Sequence, residues 1–472
     1  MHISMHQHYK FASEIIRAYD IRGVFGENLN EEDALFLALK LLQARSKMEL
    51  KGKVCIGYDG RTSSPALYKA FLKGLMTEDI KITDLGLVPT PVLYFAANYL
   101  PDIDVAVMIT GSHNPANHNG FKVMLNGKAL FGQDLKDLAN LEVVNYQSHR
   151  AQAEVIRFDI ETAYLTVLQE LISINNNLRI VWDPGNGAAC NILKQLITYL
   201  PSNHLIINGE VDGRFPAHHP DPSRTENLQQ LIRKVKEEGY DFGIAFDGDA
   251  DRLGIVDKRG QILFGSHLLY IFAFDLLKRN PGATILTDMK MSALIMNTLK
   301  KLNCNLIQYK TGHALIKAKM KEVNSMLAAE MSGHIFFAES YYGFDDAIFG
   351  ACKFLEIAYH DPALIERSLQ ITKSALSVPE RKINANELQK EKFINAVRSF
   401  LRQTNYQFSE IDGIRVDREG GWWLIRASNT ENLILFTGEA YTEGAASEIN
   451  KIFDKLLSVG SSVAGINYPN SF

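Results

Sequence analysis

Two short stretches of the chain carry residue types that could move a phosphoryl group or hold a metal. The first reads Asp247-Gly248-Asp249-Ala250-Asp251-Arg252, between an apolar run at Phe242–Phe246 and another at Leu253–Val256, each predicted to be a buried strand. Carboxylates at i, i+2 and i+4 on an extended segment point the same way. Side by side and unpaired they repel, so a hard divalent cation is their natural partner. An EF-hand loop needs Gly at its sixth position and Glu at its twelfth; Arg252 and Lys258 stand there, so that reading fails. Three ligands, with solvent or substrate completing the shell, suit Mg²⁺ in phosphoryl chemistry.

The second stretch is Thr110-Gly111-Ser112-His113-Asn114-Pro115. Val105–Ile109 leads into it as a buried strand, the chain is expected to turn on Gly111, and Asn114-Pro115 bars immediate entry into a helix. A serine on a turn at the end of such a strand sits where sites collect in open α/β sheets. These residues are also ordinary turn formers. A hydrolase nucleophile elbow would need Gly at position 110, and Thr110 stands there. The other serine chemistry is a serine that carries a phosphoryl group. It requires cations, a metal site and an anion clamp elsewhere in the chain.

The chain offers candidates for each. Arg17 and Arg22 flank Tyr19, and Arg suits bidentate contact with phosphate. Lys122 lies ten residues beyond Ser112, near enough for the loop to fold back on the serine. Lys290 follows a strand at Ala283–Thr287, and Lys310-Thr311-Gly312-His313 opens a helix. Glu330, Ser332 and His334 alternate, which on an extended loop gives them one face, and their groups could read sugar hydroxyls. Arg426, Ser428, Asn429 and Thr430 lie between two strands and make a credible phosphate cradle. Asp345 and Asp346 are expected to cap a helix, and His218 and His219 to be structural loop histidines.

The elements that must position these groups repeat. A helix at Glu31–Lys47, a strand at Val54–Tyr58, a helix near 65–77 and a strand at Ile82–Leu85 precede the serine loop. The strand–helix pattern restarts at Leu178–Trp182, where Gly185 and Gly187 make a tight strand-to-helix turn, and again at Ala283–Thr287. Asp361-Pro362 and the polar run Ser377–Glu387 read as a boundary into a last domain. That domain has helices near Glu391–Gln403 and Glu443–Leu457 and strands at Ile411–Val416, Trp422–Ile425 and Leu433–Phe436. A single core rarely grows past about 250–300 residues, so 472 residues imply several domains. The net charge of −4 gives no reason to expect a nucleic-acid or membrane surface, so an anionic substrate would have to be met by local basic residues. Four scattered cysteines without a C-x-x-C pair, no leader-like apolar segment and no apolar run long enough to span a bilayer point to the cytoplasm. His2, His6 and His8 read as a frayed terminus.

Taken together, Thr110–Pro115, Asp247–Arg252, Glu330-Met-Ser-Gly-His334 and Arg426-Ala-Ser-Asn-Thr430 resemble, in order, the phosphoserine, metal, sugar and phosphate loops of the α-D-phosphohexomutase superfamily. The resemblance runs from Arg17–Gly23 to the last domain. It is nearest the phosphomannomutase/phosphoglucomutase branch, since phosphoglucosamine mutases commonly have Gln where Met331 stands. One departure is Leu435-Phe-Thr-Gly-Glu439, where members often carry an Arg-Phe-Glu-like run.

The resemblance implies three related α/β domains with mixed sheets and a small α+β C-terminal domain around a central cleft, at 1–157, 158–260, 261–373 and 374–472. It implies a hexose 6-phosphate/hexose 1-phosphate mutase, acting on mannose and glucose phosphates through a phosphoserine enzyme and a 1,6-bisphosphate. Ser112 carries the phosphate, and Mg²⁺ sits on Ser112, Asp247, Asp249 and Asp251. His113, Arg22, Lys122, Arg252 and His334 assist catalysis. Tyr19, Lys290, His313, Glu330, Ser332, Arg426, Ser428, Asn429 and Thr430 bind the phosphosugar. Glucose 1,6-bisphosphate serves as activator, and the protein is a monomer or weak homodimer. The rival readings are a phosphoglucosamine mutase, an aspartyl-phosphate phosphatase with phosphate on Asp247, and a non-catalytic phosphosugar-binding protein. The phosphatase type wants Thr or Val where Asp251 stands.

Overall fold

The computed structural model describes residues 9–143, 153–173, 177–201, 203–404, 406–428 and 432–466. They form two compact units, each discontinuous in sequence. One contains the chain to Gly265 together with His313–Leu327 and Ser332–Pro362; the other contains Ser266–Gly312, Ala328–Met331 and the chain from Ala363.

The first unit opens with strands β1 (Ile21–Val24), β2 (Lys53–Tyr58), β3 (Lys81–Leu87), β4 (Ile103–Ile109), β5 (His118–Leu125), β6 (Lys128–Ala129) and β7 (Glu154–Arg157). Their order is β1-β5-β4-β2-β3-β7, with β6 on β5. β4, β2, β3 and β7 are parallel, whereas β5 runs back antiparallel on β4 and β1 runs antiparallel on β5. β4 is apolar and buried from Val105 to Ile109, as a strand covered on both faces must be. The helix Glu31–Lys47 starts at a capping box in which the Asn30 side chain accepts from the Asp33 N–H and the Asp33 carboxylate accepts from the Asn30 N–H.

The second sheet has β8 (Ile180–Asp183), β9 (His204–Ile206), β10 (Phe242–Phe246), β11 (Leu253–Asp257) and β12 (Ile262–Leu263), ordered β12-β11-β10-β8-β9. β9, β8 and β10 are parallel, and β11 turns back on β10. The serine loop joins β4 to β5, and the carboxylate loop joins β10 to β11. Both connect the carboxyl end of a parallel strand to its antiparallel neighbour, which is the ligand-binding end of an open α/β sheet.

The second unit pairs β13 (Thr284–Asp288) in parallel with β14 (Asn305–Tyr309). The loop Glu330–His334 leads from β15 (Leu327–Ala329) to β16 (Ile335–Phe337). The C-terminal sheet is antiparallel, ordered β17-β20-β19-β18, with β17 Leu376–Asn384, β18 Ile414–Arg418, β19 Gly421–Ala427 and β20 Leu433–Ala440. Helices Glu387–Arg402 and Glu443–Ala464 pack on it around Phe393, Trp423, Phe436 and Phe453.

Most of the polar run Ser377–Glu387 is β17. This edge strand buries Val378 and Ile383 and carries a bulge between Val378 and Arg381, so its polar face hides the period. The Leu435–Glu439 run also leaves β20 regular, paired with β17 on one side and β19 on the other. No helix among the described residues is long and apolar enough to cross a membrane.

Candidate active site

Ser112 is buried and has a left-handed backbone, φ +48°. The turn therefore falls on the serine itself and not on Gly111, and a β-carbon-bearing residue in this region stores strain. Gly111 serves close approach instead. A Cβ there would lie 2.4 Å from the Arg61 guanidinium carbon. That guanidinium, itself buried, donates to the carbonyls of Ser112 (2.6 Å), Asn114 (2.6 Å), Pro115 (2.5 Å) and His118 (2.9 Å) and pairs with Asp59 (3.2 Å). Asp59 in turn accepts from the Thr110 hydroxyl at 2.7 Å and the Gly111 N–H at 3.2 Å. Arg22 donates to the Gly111 carbonyl (3.0 Å) and the Asn114 side chain (2.9 Å), and pairs with Asp20 (2.5 Å). The loop is thus held by two buried arginines.

The Ser112 hydroxyl donates to Asp247 Oδ2 at 3.0 Å, and its oxygen lies 3.2 Å from His113 Nδ1. Burial, with Arg252 and Arg22 nearby, holds His113 well below the usual imidazole range, so it is neutral. Asp247, Asp249 and Asp251 are all fully buried, with one oxygen of each within 4.8 Å of the others. They converge through a turn rather than by strand alternation. Ala250 is left-handed at φ +59°, and its N–H reaches back to the Asp247 carbonyl at 3.1 Å. Gly248 lets the two loops touch, because a Cβ there would lie 2.5 Å from the Ser112 carbonyl. Neighbouring loops fix the height of this turn. The Ala188 N–H donates to Gly248 O at 2.9 Å, the Thr90 N–H to Asp249 O at 2.9 Å, and the Thr90 hydroxyl to the Asp249 carboxylate.

The fit to a small hard cation rests on these oxygens. Asp249 Oδ1 and Asp251 Oδ1 are buried and accept no hydrogen bond among the described residues. Lys122, on β5, donates to Asp249 Oδ2 at 2.7 Å and to Asp251 Oδ2 at 2.5 Å. Burial pulls its ammonium down, but Asp249 and Asp251 outweigh that and hold it well above the ordinary lysine range. Burial, then Asp251 and Asp249, push Asp247 well above the usual carboxylate range.

Arg252 donates from Nε to His334 Nε2 at 3.1 Å. His334 Nδ1 lies 3.1 Å from Asp345 Oδ2 and 3.6 Å from Asp251 Oδ1. His313 stacks against His334 with ring centroids 5.6 Å apart, and Tyr19 meets His313 edge-on at 5.2 Å. Ser332 is partly exposed in the same unit, and Gly333 after it turns through φ +98°. The expected alternation of Glu330, Ser332 and His334 along an extended loop is therefore broken by a left-handed glycine.

In the second unit Glu330 is buried and accepts the Gly312 N–H at 2.6 Å. Arg426 is buried with Nη1 3.7 Å from Asp412 Oδ2, and its Nε and Nη1 make no hydrogen bond among the described residues. Ser428 belongs to the same loop, its N–H bonded to Leu433 O at 2.8 Å; Asn429 and Thr430 lie outside the described residues. Lys290 follows β13, its N–H on Asp288 Oδ1 at 2.9 Å. Burial, then Arg426, lower the pKa of its ammonium.

Sequence reading missed Asp59 and Arg61, inside an unremarkable turn, and Thr90, the first residue of the helix Thr90–Tyr99. It took Asp345 for a helix cap. Asp346 alone caps, accepting from the Phe349 N–H at 2.8 Å, while Asp345 faces the histidines. His218 pairs with Asp183 at 2.9 Å.

Comparison with known proteins gives one consistent picture. The phosphoglucomutase/phosphomannomutase alpha/beta/alpha domains I, II and III match residues 13–141, 162–260 and 264–372, and the C-terminal domain of the same family matches 377–456. A phosphomannomutase/phosphoglucomutase of Pseudomonas aeruginosa is 40% identical over 453 residues, covering 96% of this chain and 97% of the relative. A phosphoglucomutase of Neisseria gonorrhoeae is 37% identical over 452 residues, covering 94% of this chain and 96% of the relative. The crystal structure of a phosphoglucomutase/phosphomannomutase family protein from Burkholderia thailandensis has a TM-score of 0.88 at 34% identity, covering 97% of this chain and 100% of that one.

Proposed function

The chain belongs to the phosphoglucomutase/phosphomannomutase family; it is a phosphohexomutase that interconverts hexose 6-phosphates and hexose 1-phosphates, and we propose that it does so through a phosphoserine at Ser112. The observation that carries this reading is the Ser112 hydroxyl 3.0 Å from the first of three buried carboxylates. In the first half-reaction phosphorus leaves Ser112 Oγ and joins the free 1- or 6-hydroxyl of the bound sugar phosphate. The hydroxyl's proton ends on Ser112 Oγ. The resulting 1,6-bisphosphate turns over in the site, and the opposite transfer returns its other phosphoryl group to Ser112 and a proton to the sugar oxygen. Phosphoryl transfer depends mainly on positioning and on stabilising charge.

Asp247, Asp249, Asp251 and the Ser112 phosphate would hold Mg²⁺, which when bound offsets charge on the transferring group. Arg22, Lys122 and Arg252 add fixed positive charge, while His113, His313 and His334 are the candidates for proton transfer. Tyr19 helps shape the substrate pocket. Arg426, Lys290, Ser428, Asn429 and Thr430 grip the phosphate that is not reacting. Glu330 and Ser332 read the sugar 3- and 4-hydroxyls. Mannose and glucose share those and differ at C2, so both should turn over. We place the enzyme in the cytoplasm as a monomer or weak homodimer, with glucose 1,6-bisphosphate restoring any enzyme that has lost its phosphate.

A coupled mutase assay with Mg²⁺ and catalytic glucose 1,6-bisphosphate tests the reading. Mannose 1-phosphate and glucose 1-phosphate should turn over at similar rates, glucosamine 1-phosphate poorly, and Ser112→Ala should lose the activity. Full activity in Ser112→Ala would overturn the phosphoserine; a strong preference between the first two sugars would overturn the C2-blind pocket.

A further inference from the structure

Lys290 stands on a stretch, Asp288–Ser292, whose peptides are gripped by the C-terminal sheet of the same unit. Arg415, on β18, is buried. Its Nη1 donates to the Met289 carbonyl at 2.5 Å and to the Met291 carbonyl at 3.2 Å, one on each side of Lys290. The opposite edge of the guanidinium is held by Asp417, which accepts from Nη2 at 2.7 Å and from Nε at 3.1 Å. Its face covers Trp422 of β19, with the guanidinium carbon 4.0 Å from the ring centroid. Two further ties act on the same stretch. The Ser292 hydroxyl donates to Glu439 of β20 at 3.0 Å. The Asp288 carboxylate accepts the N–H of Lys290 at 2.9 Å and that of Met331 at 3.1 Å.

A lysine has a flexible four-carbon stem and no directional fork, so the place of its ammonium depends on how firmly its own peptide is held. Two carbonyls drawn to one charge fix the peptides before and after Lys290. The same strand leads to Arg426. Ile414 of β18 pairs with Ile425 of β19, the residue before Arg426, and Asp412 lies 3.7 Å from the Arg426 guanidinium. Burial and then Arg426 lower the pKa of the Lys290 ammonium, which makes the two cations neighbours.

We infer that Arg415 is a positioning residue of the reaction: by gripping the peptides on both sides of Lys290 it sets the lysine ammonium beside Arg426, so that the two close on one phosphate of the sugar. Arg415 need not touch that phosphate; it acts through Lys290. Its role rests on the phosphohexomutase reading, in which Lys290 binds the phosphosugar.

The test uses the full-length Ser112→Ala protein titrated with glucose 1-phosphate by calorimetry, which reads affinity without turnover, and mutase kinetics with Ser112 intact. Lys290→Met should weaken binding about tenfold or more, as the loss of a charged hydrogen bond requires. Arg415→Lys keeps the charge but cannot hold two carbonyls and a carboxylate in one plane, so it should weaken binding about tenfold as well. Arg415→Lys combined with Lys290→Met should bind no worse than Lys290→Met alone, because the arginine acts through the lysine. In the kinetics the loss should fall on KM, with kcat nearly unchanged, since the phosphate that is not reacting is held alike before and during transfer. Arg418→Gln, an exposed change on the same strand, is the control and should keep wild-type affinity. If Arg415→Lys does not fold, Asp417→Asn loosens the same guanidinium from its half-exposed side and must show the same dependence on Lys290. Wild-type affinity in Arg415→Lys, or losses that add in the combined variant as a merely structural role would give, would overturn the inference. Absence of mutase activity in the wild type, with binding still dependent on Arg415 through Lys290, would overturn the functional reading and leave the positioning role standing.

Discussion

Arg61 shows how much one side chain can hold. Its buried guanidinium gathers the carbonyls of Ser112, Asn114, Pro115 and His118 around a single charge and balances that charge on Asp59. Arg61→Ala would strand the Asp59 carboxylate and free those carbonyls. We expect about 3–5 kcal/mol lost in urea unfolding, the usual cost of removing one partner of a buried pair. Arg61→Lys keeps the charge but not the planar fork, so it should retain more stability while still relaxing the loop. Single-turnover phosphoryl transfer should fall about 10²-fold in both variants, as a serine displaced by about an ångström would require. Wild-type transfer in Arg61→Lys would mean the loop holds its shape unaided. None of this was legible in Asp59-Gly60-Arg61, which reads as a turn and helix start. The hydrogen bond to Ser112 spans 51 positions, and no local pattern encodes it. Ser112 and the three aspartates were legible because their chemistry is compressed into two short runs.

Elements were legible where their period was clean. The helix Glu31–Lys47 and the strand Phe242–Phe246 have the boundaries their patterns give. β17 was missed because an edge strand needs few buried side chains, and the Glu330–His334 alternation failed on one left-handed glycine. The adjacent Asp345 and Asp346 diverge for a related reason, since only tertiary contacts tell a cap from a hub. Asp346 caps the helix Ala347–His360 and also accepts from the hydroxyls of Tyr164 (2.9 Å) and Tyr341 (2.9 Å). Burial raises its pKa to about 6, the capping and tyrosine hydrogen bonds opposing the shift. A folded-state value above the unfolded 3.8 means that this group favours the native state fully only below pH 3.8, and that the contribution is lost as pH rises through 6. The shift corresponds to about 3 kcal/mol at most. Asp346→Asn keeps the capping oxygen and cannot ionise, so its stability relative to wild type should climb between pH 4 and 6 and level off above. Chemical unfolding at a series of pH values checks this, and a constant difference across the window would rule it out.

At the scale of the whole molecule, the carboxylate cluster links folding to metal. Asp247, Asp249 and Asp251 are fully buried with Lys122 as the ammonium among them, so the native state holds charge that the unfolded chain would spread through water. A cation that binds the native state alone stabilises it by RT ln(1 + [L]/Kd), about 2.7 kcal/mol at a hundredfold excess over Kd. Mg²⁺ should therefore raise the midpoint of thermal unfolding in a concentration-dependent way, and chelation should reverse the rise. Because a chain of several domains need not unfold in one step, the midpoint and its Mg²⁺ increment are the quantities to compare. Asp247→Asn removes the carboxyl whose ionisation burial, Asp251 and Asp249 oppose, and one ligand with it. Its metal-free midpoint should equal or exceed that of the wild type, while its Mg²⁺ increment disappears. The opposite signs separate a metal site from a merely structural cluster. If Asp247 were needed only for packing, the metal-free midpoint would fall; if Mg²⁺ bound elsewhere, the increment would survive the substitution.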